Sequence, residues 1–298
     1  MIPTSRLLAL LVSAVLVAGA CSTGGAATSA PPAESPTAVP AATPDPDDLL
    51  ALVKTAGTIR ISTDPNYAPQ SVLKPDGTYE GFDIDVANKI AAGLGVKVEF
   101  ITPGWDTITA GSWGGRWDIS VGSMTILADR TKVLDFSVAY YYTPAQLAAT
   151  KASGITTLDG FAGKTICVGD STTYQYWLEG TLDPAIKALT PPAGATAFKL
   201  PTDQNCAEAI QAGRTESDGM LTSNTVIEQA IGAGVPMVKV GDPVYNEELA
   251  VAIDKSGPPH ADLVAAIDKI ITDMHSDGTL KALSEKWFGV DLTTKVGE

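Results

Sequence analysis

The stretch VGSMTILADR, residues 121–130, carries two hydroxyls, Ser123 and Thr125, and then a guanidinium, Arg130. Hydroxyls, free backbone N–H groups and one arginine at that spacing form a candidate anion clamp. A planar guanidinium donates two parallel N–H bonds to a carboxylate, whereas lysine offers a point charge. Other chemistries find little support. The chain has no Walker loop, no Cys-x-x-Cys pair, no His-Glu helix and no Gly-x-Ser-x-Gly turn. Its only histidines, His260 and His275, lie near the C-terminus in a loop-like and a helical stretch. The lack of a usable histidine weakens most hydrolase readings, and no cofactor or metal site is expected.

The elements that would hold the clamp alternate between short β runs and amphipathic helices. TIRIST places Ile59 and Ile61 on one face at period two. FDIDVANKIAAGLG predicts a helix with Asp83 as N-cap, a stripe of Ile84, Ala87, Ala91 and Leu94, and a glycine stop. VKVEFI and WDISVGS read as strands with a short helix around WDTITAG between them, an order that argues for a parallel sheet. The pattern restarts with KTICVGD leading into STTYQYW. It continues through the helix NCAEAIQAG, the strand SDGMLTS, the helix TVIEQAI, the strand ELAVAID and two closing amphipathic helices. In the first of those two, Leu263, Ile267, Ile270, Ile271 and Met274 share a face. The fold class expected is α/β, as two lobes of about 100 residues each.

The bulk numbers limit the partners. A formal net charge of −14 over 298 residues repels nucleic acid and anionic membrane surfaces. With 45% hydrophobic residues the chain has enough apolar side chain for a sizeable core. The N-terminal LLALLVSAVLVAGAC is an apolar run shorter than the ~20 residues a bilayer requires, so it reads as a secretory leader. Its AGAC ending resembles a lipobox, which makes Cys21 the expected lipidation site, although Ala18 stands where Leu or Val is usual. Residues 22–47 are Ser, Thr, Ala, Gly and Pro with almost no large side chain, the composition of a flexible tether. The expected domains are a leader over 1–20 and an anchored tether over 21–50, followed by the folded part. Localisation is then extracytoplasmic, at the cell membrane through the lipid alone. In an oxidising compartment the remaining pair, Cys167 and Cys206, favours a disulfide.

GFDIDVANKIAAGLGVKVEF, WDISVGSMTILADRTKVLDFS, YYYTP and DGTLKALSEKWFG together resemble the polar amino-acid-binding class of bacterial solute-binding proteins. The resemblance runs in order over about residues 50–290. It implies a bilobed periplasmic-binding-protein-like fold serving an ABC importer, with a ligand trapped by hinge closure and no chemistry performed. The lobes would be 51–143 with 248–298, and 144–247, crossing near 142–145 and 245–248. The partners implied are ABC permease subunits and a small carboxylate-bearing solute, with the binding protein acting as a monomer. Carried over residue by residue, Arg130 grips the ligand carboxylate, with Ser123 and Thr125 touching the carboxylate and ammonium. Thr172 and Thr173 add donors from a helix N-terminus. Tyr67 and Trp105 face the ligand side chain, and Asp64 reads a distal charge. Two readings compete with import: a sensor signalling to a membrane partner, and an enzyme similar to cyclohexadienyl dehydratase, with Asp170 as its acid.

This sequence departs from the pattern at one charged position. The family holds the ligand ammonium with an aspartate after a second-lobe strand, and the aligned stretch here is DGMLTSN, with Ser223 in that place. Losing one partner of such a pair typically costs about 2–5 kcal/mol. Either another acid substitutes, Asp170 or Glu247 being the candidates, or the ligand lacks an ordinary ammonium. Gln70 also replaces an aromatic common after YAP, a second sign of an altered pocket.

Overall fold

The computed structural model describes residues 47–295; the leader, Cys21 and the tether up to residue 46 lie outside the described residues. Helix α1 (Leu49–Ala56) starts where the Asp48 carboxylate accepts the Leu50 N–H, and it leads into β1 (Thr58–Ser62), with Ile59 and Ile61 fully buried. A small antiparallel sheet follows, made of β2 (Asn66–Tyr67), β3 (Ser71–Leu73) and β4 (Tyr79–Glu80). Then come α2 (Phe82–Leu94), β5 (Lys97–Ile101), α3 (Trp105–Thr109), β6 (Ile119–Thr125) and β7 (Leu134–Phe136). The middle of the chain holds β8 (Tyr141–Thr150), β9 (Thr165–Gly169), α4 (Thr173–Leu178), β10 (Thr196–Leu200) and α5 (Asp203–Gln211). It closes with β11 (Gly219–Ser223), α6 (Asn224–Gly232), β12 (Met237–Asp254), α7 (Ala261–Ser276) and α8 (Thr279–Phe288).

Hydrogen bonding runs unbroken through the strand order β10-β9-β11-β8-β12-β6-β1-β5, with β7 also paired to β12. Strands β10, β9 and β11 are parallel at one end, and β6, β1 and β5 are parallel at the other. The long β8 and β12 join them antiparallel, so the two α/β halves share one ladder rather than two separate sheets. The segments expected to cross between halves face each other within it: Tyr142 pairs with Glu248, Thr143 with Glu247, Pro144 with Asn246 and Ala145 with Tyr245. Buried side chains divide at the same place. One cluster packs Ile59, Ile61, Phe82 and Ile119 with Leu263, Ile267 and Ile271 of α7. Another packs Leu147, Phe161, Ile166, Trp177 and Leu221.

Two local details differ from the sequence reading. The N-cap of α2 is Gly81, not Asp83: its φ is +134°, and a Cβ there would lie 2.1 Å from the Gln70 carbonyl oxygen. Asp83 is instead inside the first turn and fully buried. Cys206 sits on the inner face of α5 rather than at its start, and the helix is capped by Thr202, whose hydroxyl accepts the Asn205 N–H.

Cys167 of β9 and Cys206 of α5 form a disulfide with a Cα–Cα distance of 5.7 Å across 39 residues of sequence. Closing a loop of that length removes unfolded-state entropy worth about 3–4 kcal/mol. Urea unfolding of the Cys167→Ala/Cys206→Ala double variant should therefore show a loss of about 2–4 kcal/mol. An unchanged unfolding free energy would contradict that contribution.

Candidate functional site

Open parallel sheets present their loops at the carboxyl ends of the strands, where backbone groups and helix starts converge. Both parallel ends of this sheet do so towards one cavity. Asp64 and Tyr67 follow β1, Trp105 follows β5, and Gly122, Ser123 and Thr125 end β6. From the opposite half, Thr172, Thr173 and Tyr174 follow β9, while Pro201, Thr202 and Asp203 follow β10. Glu247 enters from the crossing part of β12, and Arg130 from a 3-10 turn after β6.

Arg130 is 5% exposed. Its Nη1 donates to the Thr125 carbonyl at 3.0 Å and its Nη2 to the Ser171 carbonyl at 3.2 Å. The Trp105 ring lies beneath it, 5.4 Å from centroid to guanidinium carbon. Its Nε is buried with no hydrogen-bond partner, and among the described residues no carboxylate forms an ion pair with it. Burial pulls its pKa below the ordinary arginine value, against the opposing pull of nearby tyrosines and Glu247. Ser171 adopts φ +59°, a left-handed conformation that is uncommon for a residue with a side chain. Its carbonyl accepts from Trp105 Nε1 as well as from Arg130, so one strained turn joins the two halves at the clamp.

The hydroxyls beside the arginine do a different job from the one their spacing predicts. Thr125 Oγ1 donates to Glu247 Oε1 at 2.7 Å, and Ser123 Oγ donates to Asp83 Oδ2 at 2.7 Å. The Ser123 N–H is also engaged, donating to the Tyr140 hydroxyl at 2.9 Å. Both residues line the cavity, but they position charged groups rather than point free donors into it. Thr172 caps α4 through the Gln175 N–H, and Thr173 donates its hydroxyl to Glu247 at 2.5 Å.

Glu247 is 2% exposed and is solvated by hydroxyls alone: Thr125, Thr173, Tyr174 at 2.8 Å and Thr143 at 3.4 Å. Two more carboxylates line the cavity. Asp64 is half-buried and accepts the Asn66 N–H, with burial raising its pKa. Asp203 is fully enclosed, and burial pushes it up to about 7. One arginine thus shares the cavity with three acids.

Ser223 and Asp170 stand outside the cavity lining. The Ser223 hydroxyl accepts from the Tyr67 hydroxyl at 3.2 Å and from Gln70 Nε2 at 3.4 Å, and it bonds Thr225 Oγ1 at 2.9 Å. Gln70 Nε2 also donates to Thr225 Oγ1 at 2.6 Å. Glutamine and threonine side chains thus fill the space around Ser223, and they hydrogen-bond one half of the molecule to the other. Asp170 is exposed and lies 3.9 Å from Lys199 in the outer groove, so it does not supply the missing acid. Glu247, the other acid weighed, lines the cavity. Asp203 and Tyr174 were not foreseen. The only signal for Asp203 in the sequence is its place just before the predicted helix NCAEAIQAG, in LPTDQN.

The family described as bacterial extracellular solute-binding proteins, family 3, matches residues 59–290. The L-cystine-binding protein TcyJ of Escherichia coli (strain K12) is 30% identical over 250 residues, covering 83% of this chain and 88% of TcyJ. Among solved structures, an ABC uptake transporter substrate-binding protein from Streptococcus pneumoniae with bound histidine superimposes with a TM-score of 0.71 at 25% identity, covering 83% of this chain and 99% of that one. The ancestral amino acid-binding protein AncCDT-1, a precursor of cyclohexadienyl dehydratase, gives a TM-score of 0.68 at 30% identity over 80% of this chain and 99% of its own.

Behind the cavity, Asp83 accepts from Ser123 and from the Tyr140 hydroxyl at 2.8 Å, and burial still raises it to about 7. Its folded pKa lies above the unfolded value of about 3.9. It therefore stabilises the fold fully below pH ~4, and that contribution is lost as pH rises through about 7. Replacing it with the neutral amide should remove a loss on the order of 2–4 kcal/mol between pH 5 and pH 8. Urea midpoints of Asp83→Asn and the parent at both pH values check this, and parallel pH profiles would refute it.

Proposed function

Because this chain belongs to family 3 of the bacterial extracellular solute-binding proteins, we propose that it captures an α-amino acid in the cavity between its halves and presents it to the permease subunits of an ABC importer. The observation that carries the reading is Arg130, a buried guanidinium held by two carbonyls and an indole face with an unpartnered Nε. Leaving such a charge without a counter-ion costs several kcal/mol, and a ligand carboxylate removes that cost. Tyr67 and Trp105 wall the space for the ligand side chain, Thr172 and Thr173 close it from the far side, and Asp64 stands where a distal cation would sit. Ser123, Thr125 and Ser223 set the shape and charge of the site through the bonds described above.

The working division is lobe 1 from 51–143 and 248–298, and lobe 2 from 144–247. The paired crossings bend as the halves open and close. The bound state is favoured because only a closed cleft offers Arg130 and the second-lobe groups to one ligand. Glu247 supplies the negative charge that Ser223 lacks, which restores an ordinary amino acid as the substrate class. TcyJ binds L-cystine by name, and a two-headed amino acid belongs in the first screen. The protein acts as a monomer, tethered through a lipid on Cys21 and residues 22–47, with no catalytic step of its own.

A thermal-shift screen of amino acids should raise the melting temperature for a narrow set, by mass action. Arg130→Ala should abolish that shift and leave the unliganded melting temperature close to the parent value. A retained shift would sink the clamp. For the anchor, the parent should partition with membranes and Cys21→Ser should be released to the soluble fraction. Equal partitioning of both would exclude lipidation as the tether.

A further inference from the structure

The proposed function leaves Asp203 without a task. It opens α5, is 5% exposed and lines the cavity. Its Oδ1 accepts the Gly169 N–H at 2.8 Å and its Oδ2 accepts the Thr222 hydroxyl at 2.8 Å. Glycine at 169 is what permits this approach, since a Cβ there would meet Oδ1 at 2.7 Å. The Cys167–Cys206 bridge ties α5 to β9 within one helical turn of Asp203. The carboxylate is therefore fixed in place by a backbone contact, a hydroxyl and a covalent link.

Charge around it is one-sided. Asp64 and Tyr67 face it from the first half, Tyr174 from α4, and Tyr245 and Glu247 from β12. Asp64 and Glu247 are the carboxylates among them, the tyrosines being neutral hydroxyls held well above their ordinary range by burial, and among the described residues Asp203 has no ion-pair partner. A carboxylate offers about four lone-pair sites, and the two donors named occupy two of them, in a residue that lines the cavity. Ser223, by contrast, is outside the lining, and its hydroxyl is spent on Tyr67, Gln70 and Thr225.

We propose that Asp203, with Glu247, seats the ammonium of the bound amino acid across the cavity from Arg130, and that Asp203 carries a proton before binding and releases it to solvent as the ligand enters. The inference rests on the proposed function and deepens it. Burial places Asp203 at about 7, so near neutrality about half of the unliganded molecules hold that proton. An ammonium beside the carboxylate favours its ionised form and lowers its pKa. Affinity must then fall about tenfold per pH unit below 7 and level off above it.

The test is isothermal titration calorimetry on the intact protein in two buffers of different ionisation enthalpy. The probe is whichever of L-cystine, L-arginine and L-lysine gives the largest melting shift, beside its des-amino analogue. The parent should release about 0.9 proton per ammonium seated at pH 6 and about 0.1 at pH 8. Asp203→Asn should bind the amino acid at least about tenfold more weakly, with no proton release, and bind the des-amino analogue as the parent does. Proton-neutral binding by the parent at pH 6 overturns the proposal whether or not the variant folds. Equal weakening of both ligands by a variant with a parental melting curve overturns it too. Arg130→Ala separates the two readings: it should weaken both ligands, and undiminished binding of both would overturn the proposed function while the proton count still judges Asp203. If no α-amino acid of the screen binds, both fall.

Discussion

A guanidinium withdrawn from water with no carboxylate beside it is the constraint around which the cleft is organised. The Arg130 side chain stays buried because the Thr125 and Ser171 carbonyls each accept one of its N–H groups and the Trp105 ring covers its face. Each of those supports comes from a different strand end. Thr125 closes β6, Trp105 follows β5, and Ser171 follows β9 in the opposite half. Removing the charge from solvent thus needs both halves of the sheet in register, which the continuous ladder through β8 and β12 provides.

The acids form the complement. Glu247 is surrounded by hydroxyls rather than by a cation, and Asp203 by a glycine N–H and a threonine hydroxyl. Neutral donors stabilise a buried carboxylate without cancelling its charge, so the field of these groups extends into the cavity. A ligand with opposite charges at its two ends is matched to that field, and a simple anion or cation is matched to half of it.

Much of this was legible locally. Strand and helix periodicity located most elements, and Arg130 and the Thr172 cap were readable from a few neighbouring residues. What failed was non-local. Asp83 looked like a helix-capping acid because first-turn acids usually are; its burial is imposed by Ser123 and Tyr140, 40 and 57 residues away. Ser223 read as a missing charge, but Gln70 and Thr225 occupy the space around it, one of them 153 residues distant. Strands β2 to β4 are two or three residues long, too short to show a period. Only the second half of β12 showed an apolar run, because its 18 residues include a register break between Val240 and Tyr245.

Glu247 lies opposite Thr143 in the paired segments that join the two halves. In the proposed function, the residue that answers the ligand's positive end is therefore part of the joint itself. Affinity and the ease of bending would then be set by the same side chain, so a substitution at this position that retunes one would retune the other. Selection on such a protein would find ligand choice and the tempo of release inherited as a single trait.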